Sequence, residues 1–153
     1  MIIEMAEAML QEECSREGLL KEGWSTAISN RMKRSFGMCN YTYKTITLSK
    51  TLVEANSEER VRNTILHEIA HAIAGHTAGH GWKWRQVAQM LGCDARRCFS
   101  SENTVIPQGK YTLTCPACGK TSQRQKRTHR TPSCGKCSRR YDPTKILVWS
   151  QNY

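Results

Sequence analysis

The apolar side chains of residues 2–20 recur three or four positions apart, which is the period of an α-helix that buries one face. Ile2 and Ala6 fall on that face, whereas Glu4 and Glu7 lie outside it. This pattern predicts an amphipathic helix over about 2–20.

Residues 41–48 change to the two-residue alternation of a β-strand. The segment is rich in β-branched and aromatic side chains, which favour extended backbone on a half-buried sheet. Gly37 and Asn40 provide turn positions before it. We expect a small antiparallel sheet of two or three strands in this part of the chain.

Two further helices are predicted after the sheet. The first begins within residues 56–59, where a capping side chain is followed by two glutamates. It runs to about Ala74, because Gly75 suits a helix end. The second spans about 82–91 and ends at Gly92.

The first of these helices carries an HExxH sequence formed by His67, Glu68 and His71. Four residues of α-helix return to nearly the same face, so both imidazoles can reach one metal ion. The glutamate between them would lie beside that ion, where a carboxylate can take a proton from water. On a helical wheel, the apolar side chains around Ile65 and Ile69 occupy a different face from the histidine pair. The helix is therefore expected to bury one face in a core and to turn the histidines toward a cleft.

A catalytic zinc site needs three protein ligands and one open position. His80 and His76 are the candidates for the third ligand, and His129 is a more remote alternative. His80 is favoured because Gly79 and Gly81 beside it allow the chain to reverse, whereas His76 would face the core if the helix continued. The predicted catalytic zinc site comprises His67, His71 and His80 as ligands and Glu68 as the general base.

The last third of the chain contains two CxxC pairs. They are separated by 15 residues, a spacing typical of a structural zinc site. Four thiolates close the coordination sphere, so a zinc ion held in this way has a structural role. In a module this small, metal binding supplies most of the folding free energy, on the order of 10–16 kcal/mol in zinc-finger peptides. The four predicted ligands are Cys115, Cys118, Cys134 and Cys137.

The net charge of +10 is concentrated near the C-terminus. Residues 101–153 hold 10 of the 23 Lys and Arg residues but only two of the 13 acidic residues, Glu102 and Asp142. A basic module beside a nearly neutral one indicates a polyanion partner such as DNA, although a solvated surface is the simpler alternative. Tyr111 and Tyr141 can stack on unpaired bases. The candidate nucleic-acid contacts are Lys120, Arg124, Lys126, Arg127, Arg130, Arg139 and Arg140.

The chain lacks a run of about 18 apolar residues, so a membrane partner is not expected. Glu4 and Glu7, without an early Lys or Arg, argue against a signal peptide. Because four of the eight cysteines form CxxC pairs, we expect an intracellular protein in a reducing compartment. The remaining cysteines, Cys14, Cys39, Cys93 and Cys98, are then expected to be reduced, although Cys93 and Cys98 also offer a second metal site.

The chain resembles the SprT-like zinc metallopeptidase family (SprT/Spartan) over nearly its whole length. The matching segments are residues 64–72 around the HExxH sequence, residues 80–84, residues 95–97, the preceding segment 37–49 and the four-cysteine ribbon. The resemblance implies a mostly helical, minimal zincin-like fold with the zinc ligands and general base predicted above. It also implies DNA-dependent proteolysis of proteins that are crosslinked to DNA.

We therefore expect an α+β protein with two domains. Residues 1–106 would form a mostly helical, zincin-like minimal metalloprotease domain with a small antiparallel sheet, and residues 107–153 a zinc ribbon. The predicted function is that of a zinc-dependent protease associated with DNA, with one catalytic and one structural zinc, that degrades DNA-bound or DNA-crosslinked proteins. One alternative is a zinc-ribbon nucleic-acid-binding protein whose HExxH site is silent, and another is an enzyme of the same fold that hydrolyses a different amide.

Overall fold

The computed structural model describes residues 1–98 and 104–153. The chain divides into two compact units, unit 1 (Met1–Pro107) and unit 2 (Gln108–Tyr153). Unit 1 contains α1 (Ile3–Arg16), β1 (Ser25–Ser29), β2 (Gly37–Asn40), β3 (Thr45–Ser49), α2 (Lys50–Ala55), α3 (Glu58–Ala74), a 3-10 helix (His76–Ala78) and α4 (Trp82–Met90). Unit 2 contains β4 (Tyr111–Thr114), β5 (Thr121–Arg124), a 3-10 helix (Pro143–Lys145) and β6 (Val148–Gln151). The predicted α+β class is confirmed.

The sheet of unit 1 is mixed, and the prediction of an antiparallel sheet is wrong for one of its strands. The strand order is β1-β3-β2. The central β3 pairs antiparallel with β2 but parallel with β1, so that Ile46 lies opposite both Cys39 and Thr26. The chain leaves β1, forms β2 at the far edge and returns between them as β3, which makes β1 and β3 run in the same direction. The small and polar residues of β1 gave no alternating pattern from which this pairing could be inferred.

Strand β3 begins four residues later than predicted. Residues 41–44 form a turn in which the side-chain oxygen of Asn40 accepts a hydrogen bond from the backbone N–H of Tyr43 at 3.1 Å. Lys44 has a φ of 46°, in the left-handed region, which is incompatible with a regular strand. Local turn chemistry therefore overrides the strand preference of the aromatic side chains here.

Helix α1 ends at Arg16 rather than near residue 20. Gly18 has a φ of 75°, and the N–H of Leu19 donates to the carbonyl of Cys14 at 2.9 Å. This glycine-based helix end satisfies carbonyl groups of the last turn and reverses the chain toward β1.

Helix α3 begins and ends where the sequence predicted. The Ser57 hydroxyl oxygen accepts a hydrogen bond from the N–H of Arg60 at 3.3 Å, which caps the N-terminus. Gly75, with a φ of 90°, ends the helix, and its N–H donates to the carbonyl of His71 at 3.0 Å. Helix α4 also lies close to its predicted span.

Two faces of α3 are buried, and together they position the third. Ile65 and Ile69 belong to the core cluster that α1, α2 and β3 also line. Leu66 and Ala70 belong to a second cluster with Trp84 of α4. With the helix held on both sides, the remaining face and its HExxH histidines have a fixed direction.

Unit 2 is built around a three-stranded antiparallel sheet with the order β5-β4-β6. Two residues before β6, Ile146 forms an isolated bridge with Ser133. The buried apolar side chains of this unit are Leu113, Cys115 and Cys134. Across residues 1–98 and 104–153, we find no helix with the length and apolar character needed to cross a membrane.

Candidate metal centres

Three imidazole rings converge on the exposed face of α3. His67 and His71 lie one helical turn apart, and His80 reaches them from the loop between the first 3-10 helix and α4. The Nε2 atom of His80 lies 3.1 Å from Nε2 of His67 and 3.0 Å from Nε2 of His71. The structure therefore brings the three histidines that were predicted as ligands into one group, the histidine group.

The donor atoms of the histidine group fit a metal ion. Tetrahedral zinc, with Zn–N bonds of about 2.0–2.1 Å, holds its ligand nitrogens about 3.3 Å apart. An imidazole nitrogen offers either one proton or one lone pair, so His80 cannot form a good hydrogen bond with both neighbours, whereas one cation satisfies all three rings. Burial lowers the pKa of His67 and of His71 to about 4, which leaves both rings neutral at neutral pH, the form that binds metal.

Two aromatic residues hold the ligand rings in place. The fully buried indole of Trp84 packs against all three imidazoles, with ring centroids 4.7 Å from His67, 5.3 Å from His71 and 4.6 Å from His80. Its Nε1 donates to the backbone oxygen of His67 at 3.4 Å. The hydroxyl of Tyr41 donates to the backbone oxygen of His71 at 3.1 Å. Such outer contacts orient metal ligands and restrict their motion.

Glu68 lines the same cleft as the histidine group, and its side chain is buried, with 8% exposed. Burial raises the pKa of the carboxyl group to about 7, and a hydrogen bond from the backbone N–H of Cys39 opposes that rise. A carboxyl group with a pKa near 7 can accept and release a proton at neutral pH.

Strand β2 approaches Glu68 closely because it begins with a glycine. A Cβ atom at Gly37 would lie 2.6 Å from Cγ and 2.8 Å from Oε1 of Glu68. Since β2 is at the edge of the sheet, the Cys39 N–H is available for the carboxylate. The sheet edge therefore fixes the position of the carboxyl group that the sequence predicted as the base.

The other candidate histidines lie outside the histidine group. His76 is in the first 3-10 helix and packs edge-on against Tyr41, with ring centroids 5.2 Å apart. His129 belongs to unit 2 and is exposed. Neither residue joins the three ligands that the structure brings together.

A cleft of about 470 Å³ surrounds the histidine group. Its lining includes residues of α3, the segment 34–37 that leads into β2, and His80, Arg96 and Arg97. Burial, and then the positive charge of Arg97, lower the pKa of His80. The cleft leaves space beside the three nitrogens for a substrate and for water.

The four cysteines of the CxxC pairs form a second group, the cysteine group. The Sγ atoms of Cys115 and Cys137 lie 3.8 Å apart, and those of Cys118 and Cys134 lie 3.7 Å apart. Tetrahedral zinc with Zn–S bonds of about 2.3 Å holds its sulfurs about 3.8 Å apart, so this group also fits a metal ion.

Both turns of the cysteine group have the same backbone arrangement. The N–H of Gly119 donates to the carbonyl of Cys115 at 2.9 Å, and the N–H of Ser138 donates to that of Cys134 at 3.1 Å. Backbone N–H groups two and three residues further on lower the pKa of the Cys115 and Cys134 thiols, to about 6 for Cys134. The first cysteine of each turn therefore favours the thiolate form that binds metal, whereas a hydrogen bond with the Cys118 side chain raises the pKa of Cys137 to about 12.

The remaining cysteines join neither group. Burial raises the pKa of the Cys14 thiol to about 11 and that of Cys39 to about 12, which makes both unreactive. Cys93 is buried and Cys98 is exposed, and both are free thiols. Within the described ranges, no third group of metal-binding residues includes Cys93 or Cys98.

The predicted nucleic-acid contacts lie on the surface of unit 2, with Arg124 half-buried and the others exposed. The guanidinium of Arg127 lies 5.4 Å from the ring centroid of Tyr111 and 5.9 Å from that of Trp149, and Arg130 lies 4.3 Å from Tyr141. Among the described residues, no carboxylate pairs with a Lys or Arg of this unit. The surface is therefore predominantly basic, with Asp142 as its acidic side chain, and it carries aromatic rings.

Sequence reasoning did not place Trp84, Gly37 or Tyr41 at the metal site. Trp84 lies four residues after His80, a short separation that is visible in the sequence, but His80 precedes the start of α4. Gly37 and Tyr41 reach the site through tertiary structure, since each is about 30 residues from its partner on α3. No local pattern identifies such contacts.

Comparison with known proteins places the cleft within a recognised family. A model of the SprT-like family matches residues 3–105. The germ cell nuclear acidic protein of Drosophila melanogaster is 27% identical over 113 residues, which cover 70% of this chain and 11% of that protein. Protein SprT of Escherichia coli O157:H7 is 32% identical over 76 residues, which cover 46% of each protein. Thus the chain spans less than half the length of either relative. Because the family model covers more than half of the chain, including the whole histidine group, the chain belongs to the SprT-like family.

Proposed function

We propose that this chain is a zinc-dependent peptidase that acts in association with DNA, on proteins bound or crosslinked to it. The observation that carries the proposal is the convergence of three Nε2 atoms beside a buried glutamate in an open cleft. Membership of the SprT-like family, together with the resemblance to its metallopeptidases, supports the same activity. His67, His71 and His80 would hold the catalytic zinc, and the cysteine group a structural one.

Zinc bound to the histidine group would supply the Lewis acidity that makes water nucleophilic near pH 7 and polarises a peptide carbonyl. Glu68 would accept the proton of the attacking water and return it to the leaving amine, since its pKa lies near 7. The N–H of Cys39 would hold the carboxyl group in position through both transfers. Trp84 would exclude water from the far side of the ligand rings.

An extended substrate can lie along β2. This strand is at the edge of the sheet, and its first residue, Gly37, lines the cleft. A strand edge binds an extended peptide through its unpaired backbone groups. Because the N–H of Cys39 is engaged with Glu68, the contact would fall at Gly37. This mode gives little sequence selectivity by itself and suits a protease that acts on unfolded segments.

The peptidase activity is tested by the conservative substitution Glu68→Gln. The zinc-loaded chain should cleave an unfolded protein substrate, and a chelator should stop the cleavage. Glu68→Gln should lower turnover by about 10²–10⁴-fold, the usual contribution of a general base, with the zinc content unchanged. Glu59→Gln, an exposed glutamate on the same helix, is the matched control and should cleave normally. If Glu68→Gln cleaves as well as the parent, the chemistry proposed for this carboxyl group is wrong and a ribbon protein with a silent site is the better description.

The association with DNA is proposed from unit 2. Its cations have no carboxylate partner among the described residues, and Arg127 lies against two aromatic rings. Phosphates can bind such cations, and unpaired bases can stack on Tyr111 and Trp149.

Fluorescence anisotropy of a single-stranded oligonucleotide, measured at several salt concentrations, tests this part of the proposal. The logarithm of the affinity should fall linearly with the logarithm of the salt concentration. Lys126→Gln should reduce that slope by about one. Lys50→Gln in unit 1 is the matched control for the loss of one charge. A flat salt response would exclude a phosphate-binding surface.

A further inference from the structure

The cleft around the histidine group is strongly basic. Four arginines line it, and Glu68 is the acidic residue among its lining side chains within the described part of the chain. Arg60 forms an ion pair with Asp94, with 3.6 Å between Nη1 and Oδ2. Arg96 is exposed, but its charge acts on the same Asp94. Arg34 and Arg97 are also exposed, and neither forms an ion pair with a carboxylate of the described residues.

The two unpaired cations come from different segments of the chain. Arg34 belongs to the segment that leads into β2, and Arg97 follows α4. Arg97 is close enough to His80 for its charge to act on that ring. A peptide that lies along β2 across the histidine group would therefore meet a cation from each of these two segments.

Resting on the proposed peptidase function, we propose that this cleft selects acidic substrates, with Arg34 and Arg97 as the residues that determine the preference. Each arginine would bind an Asp or Glu side chain that flanks the scissile peptide bond. Guanidinium groups suit this role because they bind carboxylates through two parallel hydrogen bonds. The positive charge of a bound metal ion would add to the same preference.

The cleft fits a peptide better than a nucleic acid strand. Sites for single-stranded nucleic acid combine cations with exposed aromatic rings, on which bases stack. Among Phe, Tyr and Trp residues, the described lining of the cleft includes only Phe36. Its ring is 1% exposed and therefore cannot stack on a base. Unit 2, in contrast, combines cations with accessible rings at Tyr111 and Trp149. The two basic surfaces therefore suit different anions.

Binding to the inactive zinc-loaded Glu68→Gln chain tests the preference independently of turnover. Three fluorescein-labelled peptides of identical length, with Glu-Glu, Gln-Gln or Lys-Lys at the centre of a Gly/Ser sequence, would be titrated in an anisotropy assay. The Glu peptide should bind most tightly and the Lys peptide most weakly. Arg34→Gln and Arg97→Gln should each reduce the ratio of Glu to Gln affinity by about two- to fivefold, as expected for a solvent-exposed ion pair. Lys21→Gln, an exposed cation elsewhere in unit 1, should leave the ratio unchanged.

Equal affinity for the Glu and Gln peptides, or a ratio that neither arginine substitution alters, would overturn the proposal. A labelled oligonucleotide provides the competing arm: if the arginine substitutions weaken its binding instead, the cleft is a nucleic-acid site. Turnover by the active chain separates the two proposals. Cleavage of all three peptides at equal kcat/KM would support the peptidase function and contradict the acidic preference. Selective binding of the Glu peptide without any cleavage would support the acidic preference and contradict the peptidase function.

Discussion

The two candidate metal centres are supported by very different amounts of protein. The histidine group lies on a helix with two buried faces, against a tryptophan that contacts all three rings. The cysteine group lies in a unit of 46 residues whose buried apolar side chains are Leu113 and two of the ligands themselves. Unit 1 therefore has an apolar core apart from its candidate metal centre, whereas the buried side chains of unit 2 belong largely to its candidate metal centre.

Under the proposed function, this difference would separate a catalytic from a structural use of zinc. A preformed set of three ligands, with space beside it and a carboxyl group of pKa about 7, is arranged for chemistry. Four thiolates leave no open position, so metal bound there contributes folding free energy.

Cys134→Ser should unfold unit 2 while unit 1 remains folded. Loss of one thiolate removes most of the metal-linked folding free energy, which is on the order of 10–16 kcal/mol in small zinc modules. Amide signals of residues 108–153 should collapse in a ¹H–¹⁵N spectrum, and native mass spectrometry should show one zinc ion in place of two. Cys98→Ser, an exposed cysteine outside both groups, is the control. A folded unit 2 in the Cys134→Ser chain would show that its core does not depend on metal.

His80→Ala should leave unit 1 folded but remove its metal. Substitution of residues that only support a ligand costs about 10–100-fold in metal affinity, so loss of a ligand should exceed about 100-fold. His76→Ala is the matched control, because this nearby histidine packs on Tyr41 and not on the metal group. Competition with a zinc-sensitive dye measures both affinities. Equal affinities for the two variants would mean that His80 is not a ligand.

Gly37→Ala should reduce turnover with little effect on metal binding. The new methyl group would meet Cγ of Glu68 at 2.6 Å, so the carboxyl group must move. A displacement of about 1 Å at a catalytic group can cost about 100-fold, and we expect a loss of about 10–100-fold in kcat. Gly135→Ala in unit 2, where an added Cβ meets no atom within 4 Å, should have no effect. Unchanged kcat in the Gly37→Ala chain would show that the position of Glu68 is not critical.

Tyr41→Phe should have the smallest effect. The substitution removes the hydrogen bond to the backbone oxygen of His71 and should lower the free energy of unfolding of unit 1 by about 1 kcal/mol. Urea denaturation followed by the helical circular dichroism signal reports on unit 1, because the α-helices of the described chain all lie there. Tyr43→Phe, at a 76% exposed tyrosine, should leave the unfolding midpoint unchanged. A midpoint that falls equally in both variants would remove the assigned role of Tyr41.

The sequence predicted those parts of the molecule that depend on local spacing. The start and end of α3 follow from Ser57 and Gly75, and the histidine pair follows from its four-residue spacing. The four cysteines that the structure brings together were identified by their CxxC pairs. Each of these features is fixed by residues within a few positions of one another.

Features that depend on long-range packing could not be predicted. The parallel pairing of β1 with β3 joins Ser25 to Thr45, and the contact between Gly37 and Glu68 joins two different elements. The strand predicted from Tyr41 onward failed because the side chain of Asn40 closes a turn there. These contacts position the carboxyl group and the cleft, so the detailed geometry of the site required the tertiary structure.

Anomalous diffraction at the zinc edge, from crystals of the zinc-loaded chain, tests the distinction between the two centres most directly. We expect two peaks. One should lie within bonding distance of Nε2 of His67, His71 and His80 with no fourth protein ligand, and the other should lie among the four Sγ atoms of the cysteine group. A histidine peak that is absent, or that is closed by a fourth side chain, would contradict the assignment of an open catalytic centre.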